Sequence, residues 1–279
     1  MQPTLGNQTI NRIGYGAMRL PGIRGTPENS ELAHELLREA VALGANIIDT
    51  AGFYGAGLAN RLIADALHPY PENLIISTKV GAKAGPSGRP EPAATAEEII
   101  ATVESDLESL RVPTLDLVFL RLPGGPLPDS GVPMQESLKC LGELQQAGLI
   151  QHIGLSSASA EQVAAAKAIK TVDAVQNALF VGSQDSHDVA QLCHKEGIPF
   201  LAYFPLGMGM LIEKKVDLGP IAKAHQATKA QVALAWLLAL SPMVVPIPGT
   251  SNIDHLRENY AALNVALSPN EIEVLTNIA

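Results

Sequence analysis

Short runs rich in β-branched and other apolar residues alternate along the chain with longer segments in which apolar residues recur at intervals of three and four. The short runs predict buried strands, and the longer segments predict amphipathic helices. The predicted strands are NRIGYGA, NIIDTA, LIISTKV, LDLVFLRL, HIGLSS, DAVQNALF, PFLAYFPL and MVVPIPGT. The clearest helices are SELAHELLREAVALG, AEEIIATVESDLESL, MQESLKCLGELQQAG and AQVALAWLLAL.

Eight strands with helices between them predict a (β/α)₈ barrel, in which parallel strands are buried on both faces. The length of 279 residues agrees with this fold, since such barrels commonly have about 250 residues. Because no Pro/Gly/Ser-rich linker divides the chain, we predict a single domain over residues 1–279. The segment TLGNQTIN predicts an additional N-terminal β-hairpin at the bottom of the barrel, which turns at Gly6 and Asn7.

One long segment interrupts this regular alternation. Residues 81–98, with the sequence GAKAGPSGRPEPAATAEE, follow the third strand on the side where such barrels carry their active sites. The richness in Gly, Pro and Ala predicts a mobile loop there.

Composition excludes several classes of protein. Hydrophobic residues make up 47% of the chain and charged residues 17%, so the chain can bury a large core and is not disordered. The net charge is −9, from 19 basic and 28 acidic residues, and there is no run of Lys and Arg. This argues against a nucleic-acid surface or an anionic-membrane patch.

The location of the protein is inferred from its apolar segments. The N-terminus has no signal-peptide pattern, and the most apolar stretch, AQVALAWLLAL, is too short to span a bilayer, so we expect a cytoplasmic protein. Cys140 and Cys193 are far apart in sequence and lack metal-type spacing, which predicts reduced, buried thiols. The sequence has no H-x-H, H-E-x-x-H or G-x-S-x-G motif, so neither a metal site nor a hydrolase is predicted.

Polar residues at the predicted strand ends indicate the chemistry. Asp49 ends the second strand, Tyr54 follows in the next loop, and Lys79 ends the third strand within apolar sequence. A lysine there is costly unless its charge is paired, so we expect an Asp49–Lys79 pair across adjacent strands. An ammonium beside Tyr54 would make the phenol a better proton donor, which a carbonyl reduction requires. Taken singly, each residue favours a structural role over a catalytic one, and only the ordered set reverses this.

The motifs as a set resemble those of the aldo-keto reductase family. DTAGFYG, STK, GLSS, the glutamine of VQNALF, AYFPLG and IPGTSNIDHLREN stand in the family's order and cover essentially the whole chain. The resemblance implies a nicotinamide cofactor bound without a Rossmann domain and hydride transfer to an aldehyde or ketone. It also implies Tyr54 as the acid, with Asp49 and Lys79 tuning and positioning it.

Arg121 is the main departure from the family pattern, because the family usually has a histidine at this position. Arginine is permanently charged and carries several fixed donors, so it suggests an anionic group on the substrate. With NRIGYGAM, HIGLSS and FPLG, it resembles a branch that includes pyridoxal reductases. Pyridoxal is therefore the candidate substrate, with its phenolate on Arg121. The alternative role for Arg121 is an ion pair with a loop acid such as Asp129.

The resemblance also implies cofactor-binding positions. The nicotinamide amide would contact Ser156 and Gln176, with Ser157 replacing the family's usual asparagine. Tyr203 occupies the ring-stacking position, for which the alternative is plain packing at the barrel rim. Backbone amides at Leu206 and Gly207, followed by Met208, Gly209 and Met210, would wrap the pyrophosphate.

At the adenine end the family's usual lysine and arginine are absent. The residues expected there are Gly249, Thr250, Ser251, Asn252, His255, Glu258 and Asn259. Hydroxyl and amide groups and the backbone N–H groups of a helix start would hold a 2′-phosphate. NADPH is therefore the expected cofactor, and NADH is the alternative.

Two other functions remain open from the sequence. The first is a broad carbonyl-detoxifying reductase without a dedicated substrate. The second is a non-catalytic nicotinamide-binding redox sensor or regulatory subunit. We expect a small-molecule aldehyde or ketone substrate, no nucleic-acid or membrane partner, and a monomer or small homo-oligomer.

Overall fold

The computed structural model describes residues 2–23, 27–86, 89–183, 185–209 and 217–278. The described strands are β1 (Thr4–Leu5), β2 (Gln8–Thr9), β3 (Tyr15–Gly16), β4 (Ile47–Asp49), β5 (Ile75–Ala84), β6 (Pro90–Ala93), β7 (Leu115–Arg121), β8 (Ile150–Ser156), β9 (Ala174–Ala178), β10 (Phe200–Tyr203) and β11 (Val244–Pro246). The described α-helices are α1 (Ser30–Ala42), α2 (Leu58–Leu67), α3 (Ala96–Leu110), α4 (Met134–Gln146), α5 (Ala160–Lys167), α6 (His187–Glu196), α7 (Gly219–Ala224), α8 (Lys229–Leu240), α9 (Ile253–Ala261) and α10 (Pro269–Thr276). Short 3₁₀ turns cover Ala17–Arg19, Gly207–Gly209 and Ala262–Asn264.

Eight parallel strands form the barrel, in the order β3, β4, β5, β7, β8, β9, β10 and β11. Hydrogen bonds from Gly14 N to Pro246 O (3.0 Å) and from Gly16 N to Pro248 O (3.3 Å) join the last strand region to the first. Close approach at this seam requires glycine, since a Cβ on Gly249 would lie 2.4 Å from the Gly16 carbonyl oxygen. The predicted (β/α)₈ barrel is confirmed.

The periodicities predicted the main elements correctly. Each predicted apolar run overlaps one barrel strand, and the four clearest predicted helices correspond to α1, α3, α4 and α8. The predicted N-terminal hairpin is also present, because β1 and β2 pair antiparallel around a turn at Gly6 and Asn7. Cys140 and Cys193 are buried and unpaired, as predicted. Within the described residues, no helix has the length and apolar character needed to cross a membrane.

The predicted mobile loop over residues 81–98 is wrong for most of its length. β5 continues to Ala84 and pairs antiparallel with β6, with Gly81 opposite Ala93, and α3 begins at Ala96. Gly81 has a φ of 89°, a left-handed conformation that glycine adopts without steric cost. β6 is an edge strand, where prolines are tolerated. Residues 87 and 88 lie outside the described part.

Apolar side chains fill two regions of the barrel. One cluster lies inside the barrel and includes Ile47, Leu117, Phe119 and Leu201. The larger cluster lies between the strands and the surrounding helices. With both faces of the strands covered, polar side chains concentrate at the carboxyl ends, where the loops to the helices begin.

Candidate active site

The carboxyl ends of the barrel strands surround a cavity of about 720 Å³. Asp49 is the last residue of β4, Arg121 of β7, Ser156 of β8 and Tyr203 of β10. All four line the cavity, together with the predicted site residues Tyr54, Lys79, Gln176, Leu206 and Gly249. The fold therefore brings the predicted catalytic set and part of the predicted cofactor set into one space.

Asp49 and Lys79 form a buried ion pair across β4 and β5. Lys79 Nζ lies 2.8 Å from Asp49 Oδ1 and 2.7 Å from Oδ2, and it also donates to the Thr50 carbonyl oxygen at 2.8 Å. Ser77 Oγ and Gln176 Nε2 donate to Asp49 Oδ1 at 2.9 and 2.7 Å. Buried charges require this degree of hydrogen bonding. Both ions are consequently held in one geometry.

Burial by itself would lower the pKa of Lys79, but the negative charge of Asp49 and its hydrogen bonds outweigh that effect. The interaction with Tyr54 acts in the same direction, so the pKa of Lys79 is raised. Lys79 is therefore a fixed cation at neutral pH. A fixed cation next to a phenol stabilises the charge that develops when the phenol gives up its proton.

Tyr54 stands beside this cation. Lys79 Nζ lies 5.0 Å from the centroid of the Tyr54 ring. The ring is also packed edge-on against Phe53, with centroids 5.1 Å apart. Left-handed conformations at Gly55, Ala56 and Gly57 turn the chain sharply after Tyr54 and lead into α2. This turn places the phenol over the strand ends, as the DTAGFYG motif suggested.

Arg121 is largely buried at the end of β7. Its guanidinium donates to the Leu122 carbonyl oxygen and, at 2.8 Å, to the Gly124 carbonyl oxygen. Burial lowers the pKa of Arg121 and the nearby phenols of Tyr203 and Tyr54 oppose this effect, so the guanidinium remains charged. These backbone contacts use part of its five donors and leave a cationic group lining the cavity.

The alternative ion pair between Arg121 and Asp129 is not formed among the described residues. Asp129 Oδ1 instead accepts from the backbone N–H of Gly131 at 3.0 Å. The guanidinium charge is consequently balanced by carbonyl dipoles and not by an acid on the neighbouring loop.

Two buried polar atoms in the cavity wall lack hydrogen-bond partners within the described part of the chain. They are Ser156 Oγ and Gln176 Oε1. Buried polar groups are rarely left unpaired, so a ligand group carrying both a donor and an acceptor would fit here. A carboxamide has both. The pair is therefore compatible with the predicted nicotinamide site.

The other cavity wall carries Tyr203. Its hydroxyl lies 2.9 Å from Ser157 Oγ, and its ring meets Phe204 edge-on with centroids 4.8 Å apart. Ser157 adopts a φ of 60°, which is uncommon for a residue with a side chain. Ser157, which replaces the family's usual asparagine, thus hydrogen-bonds the hydroxyl of Tyr203, the residue predicted to stack on the nicotinamide ring.

The predicted pyrophosphate segment is a tight turn. Gly207 has a φ of 67°, and its N–H donates to the Phe204 carbonyl oxygen at 2.7 Å. Leu206 lines the cavity, and a 3₁₀ turn covers Gly207–Gly209. Met210 lies outside the described residues.

The predicted adenine-end residues cluster around the start of α9. Asn252 caps this helix by accepting from the His255 backbone N–H at 3.0 Å, and Thr250 Oγ1 accepts from Asn252 N at 3.1 Å. Ser251 is half-buried, and the side chain of His255 is exposed. Glu258 accepts from the Thr228 hydroxyl, and Asn259 is buried. Of this group only Gly249 lines the cavity.

Sequence reasoning missed a second buried carboxylate, Asp106 on α3. It accepts from Thr78 Oγ1 at 2.6 Å and from Asn60 Nδ2 at 2.8 Å. The sequence contains a signal for this buried carboxylate. Asp106 stands on the buried stripe of α3 with Ile99 and Leu110, where an apolar residue is expected. Arg19, Phe180 and Asp185 also line the cavity and were not among the predicted site residues.

Asp106 makes a testable contribution to stability. Burial raises its pKa to about 6, so the folded state takes up a proton at higher pH than the unfolded chain does. Stability from this group is therefore gained as pH falls through 6. Relative to an Asp106→Asn variant, the wild type should gain roughly 1–2 kcal/mol in free energy of unfolding between pH 8 and pH 5. Urea titrations of both proteins across this range would measure the difference, and a constant difference would contradict the assignment.

Comparisons with known proteins agree with this geometry. The model of the aldo/keto reductase family matches residues 12–279. A pyridoxine 4-dehydrogenase of Escherichia coli (strain K12) is 41% identical over 280 residues, which is 99% of this chain and 97% of that protein. The structure of a thermostable aldo-keto reductase crystallised with the inhibitor epalrestat superposes with a TM-score of 0.85 at 29% identity, over 100% of this chain and 99% of that one.

A further solved structure shares the fold at lower identity. An aldo/keto reductase from Klebsiella pneumoniae, crystallised with NADP and acetate, has a TM-score of 0.82 at 24% identity and covers 99% of this chain and 94% of that one. Lys79 does not end its strand as predicted, since β5 continues to Ala84, but it lines the cavity together with Asp49 and Tyr54. With these three residues at one cavity and the family model matched over residues 12–279, the chain belongs to the aldo/keto reductase family.

Proposed function

We propose that the protein uses NADPH to reduce an aldehyde or ketone to the alcohol, with Tyr54 as the proton donor and pyridoxal as the candidate substrate. Membership of the aldo/keto reductase family makes it an NAD(P)H-dependent oxidoreductase of carbonyl groups. The observation that carries the assignment of the donor is the position of Lys79 Nζ, 5.0 Å from the centroid of the Tyr54 ring, with both residues on the wall of the same cavity.

Cofactor binding follows from the polar atoms and turns of the cavity. Ser156 Oγ and Gln176 Oε1 would bind the carboxamide of the nicotinamide, and the Tyr203 ring would support one face of it. The turn at Leu206 and Gly207 would bind the pyrophosphate through backbone N–H groups. When bound, NADPH supplies the hydride to the carbonyl carbon.

The protein residues control the accompanying proton. The substrate oxygen is placed next to the Tyr54 hydroxyl, and negative charge grows on that oxygen as the carbonyl is reduced. Lys79 and Arg121 provide positive potential there before the reaction begins, so little reorganisation is required. Tyr54 then donates its proton to the oxygen, and Lys79 stabilises the resulting phenolate. Asp49 prevents Lys79 from moving away from the phenol.

The choice of NADPH rests on the start of α9. The helix N-terminus near Thr250 and Ser251 presents backbone N–H groups of the kind that bind phosphate. His255 stands in the first turn of the same helix. Gly249 and His255 stand where the family usually has a lysine and an arginine, so NADH remains the weaker alternative.

Pyridoxal is supported by two observations. The relative that is 41% identical carries the name pyridoxine 4-dehydrogenase. Arg121 adds a half-buried cation to the cavity wall, on which Tyr54 and Tyr203 also lie. Pyridoxal carries a phenolate beside its aldehyde, so one molecule would place its phenolate on Arg121 and its carbonyl oxygen on Tyr54.

Replacing Arg121 tests this assignment of substrate. An Arg121→His variant should lose preference for pyridoxal over 4-nitrobenzaldehyde by roughly 10-fold or more, because a charge-assisted hydrogen bond contributes about 1.5–3 kcal/mol. The ratio of the two kcat/KM values measures the preference. Because 4-nitrobenzaldehyde lacks the phenolate, its turnover controls for general damage. An unchanged ratio would refute contact between Arg121 and the phenolate.

The overall activity is tested by the loss of nicotinamide absorbance with purified protein, NADPH and each aldehyde, repeated with NADH. We expect faster turnover of pyridoxal and a preference for NADPH. Equal or faster turnover of 4-nitrobenzaldehyde would favour a broad carbonyl-detoxifying reductase. Tight cofactor binding with no turnover of either aldehyde would favour a redox sensor.

A further inference from the structure

Asp106 is a buried carboxylate to which the proposed function gives no role. Its side chain lies on α3, is 1% exposed and accepts one strong hydrogen bond on each oxygen, from Thr78 and from Asn60. Two acceptor oxygens facing two donors suit the ionised form. The structure therefore maintains a negative charge directly behind β5.

Hydrogen bonds, together with the backbone of β5, connect Asp106 to Lys79 in a closed ring. Asn60 binds Asp106 with its amide nitrogen and accepts from Thr50 Oγ1 at 2.8 Å with its amide oxygen. The carbonyl oxygen of Thr50 accepts from Lys79 Nζ at 2.8 Å. Thr78, the other donor to Asp106, directly precedes Lys79 on β5. Asp106 thus restrains both the backbone oxygen that binds Lys79 and the residue before it.

The same carboxylate contacts the loop that carries Tyr54. A Cβ on Gly52 would lie 2.7 Å from Asp106 Oδ1, so the chain packs on this oxygen two residues before Tyr54. Only a residue without a side chain allows this approach. Asp106 therefore contacts the residue before Lys79 on β5 and the loop that leads to Tyr54, the proposed proton donor.

The charges near Lys79 and Tyr54 come from β4, β5, β7 and α3. Asp49 and Lys79 neutralise each other as a pair, Asp106 adds a negative charge that acts on Lys79, and Arg121 adds a positive charge from the end of β7 that acts on Tyr54. Lys79 on β5 is the charged group that acts on Asp106 among the described residues, with Asp49 on β4 behind it. The contacts from α2 and from the loop after β4, at Asn60 and Gly52, involve no titratable group.

We propose that Asp106, held behind β5 by Thr78 and Asn60, acts on Tyr54 through its negative charge and keeps the phenol protonated to higher pH than the Asp49–Lys79 pair alone would. A proton donor is effective only while it holds its proton, so this charge favours the reductive direction. The inference rests on the proposed role of Tyr54 as the donor.

Ultraviolet titration of tyrosine ionisation in the cofactor-free protein tests the proposal without any turnover. Subtracting the titration of a Tyr54→Phe variant isolates the Tyr54 signal, and the same subtraction in an Asp106→Asn background isolates it there. Removal of the Asp106 charge should lower the midpoint of the Tyr54 titration by roughly 0.5–1 pH unit. A role limited to stability would leave the midpoint in place.

The matched control is Asp116→Asn. Asp116 on β7 is a half-buried carboxylate beside β5, and it accepts from the backbone N–H of Ile76 at 2.8 Å near the start of β5. This variant should leave the Tyr54 midpoint unchanged. Should Asp106→Asn fail to fold, Asp106→Ser offers a smaller neutral group, and the same downward shift is expected.

The outcomes separate this inference from the proposed function. An unchanged Tyr54 midpoint in a folded Asp106 variant would overturn the inference, and so would an equal shift in the Asp116 variant. Full turnover by the Tyr54→Phe variant would instead overturn the proposed donor, whatever the titration shows.

Discussion

Replacing Tyr54 with phenylalanine should lower turnover by roughly 10²–10⁴-fold, the usual contribution of a positioned acid. The phenol is packed against Phe53 and lies over Lys79, so the ring of phenylalanine keeps the packing and loses only the hydroxyl. Cofactor affinity should remain within about 2- to 3-fold of wild type, since the predicted nicotinamide contacts are at Ser156, Gln176 and Tyr203. Steady-state turnover and the Kd for NADPH are the measurements.

Phe53→Leu provides the control for this variant. It disturbs the same loop and removes the edge-on contact with Tyr54, but it leaves the phenol in place. We expect a much smaller loss than in Tyr54→Phe. Comparable turnover in Tyr54→Phe and the wild type would show that another group supplies the proton.

Replacing Lys79 with methionine should affect stability as well as activity. The change leaves Asp49 buried without its countercharge, and breaking a buried pair in this way lowers the free energy of unfolding by about 3–5 kcal/mol. The remaining hydrogen bonds from Ser77 and Gln176 place the expected loss near the lower end of that range. Turnover should fall together with stability because Tyr54 loses its neighbouring cation. Urea denaturation monitored by circular dichroism measures the free energy of unfolding.

Two further variants make this prediction specific. The double variant Asp49→Asn with Lys79→Met should regain part of the lost stability, since no unpaired charge remains, but it should stay inactive. Lys83→Met is the matched control, because Lys83 stands on the same strand and its ion pair with Glu98 is exposed. It should change stability little. A Lys79→Met protein as stable as the wild type would disprove the buried-pair argument.

The strand-end residues were predictable because two independent patterns coincide there. Parallel strands buried on both faces are almost wholly apolar, so Asp49 and Lys79 stand out in IIDTA and LIISTKV, and the barrel places the carboxyl ends of its strands together. Strand adjacency brings the two residues within reach of each other, and their opposite charges favour the 2.7 Å contact. The same reasoning does not fix Tyr54, whose place depends on three successive left-handed residues in the loop.

Other features depend on tertiary contacts that the sequence pattern does not encode. Residues 81–98 have the composition of a loop, but the backbone groups after Gly81 find partners in β6 and form a two-stranded arm. Asp106 lies on the buried stripe of a regular amphipathic helix. The hydrogen bonds from Thr78 and Asn60 that stabilise a carboxylate there come from other elements, so the helix pattern does not predict them. In both cases, partners that are distant in sequence override the local signal.

The orientation of Arg121 illustrates the same limit at the site itself. Arginine at this position predicted a charged contact, with either a substrate or Asp129 as the partner. The structure places the guanidinium on the carbonyl oxygens of Leu122 and Gly124, in a loop whose conformation depends on a positive φ at Gly124. Strand periodicity does not fix the direction of a side chain with several rotatable bonds. The sequence therefore predicts the charge of Arg121 but not its hydrogen-bond partners.

The most direct test of the proposed reaction follows an isotope from cofactor to product. The protein is incubated with pyridoxal and with NADPH that carries deuterium at both C4 positions of the nicotinamide, and the products are examined by mass spectrometry. We expect pyridoxine with one deuterium on the new alcohol carbon, formed by the wild type and almost absent with Tyr54→Phe. Recovery of unlabelled alcohol, or of no alcohol while the cofactor is bound, would contradict it.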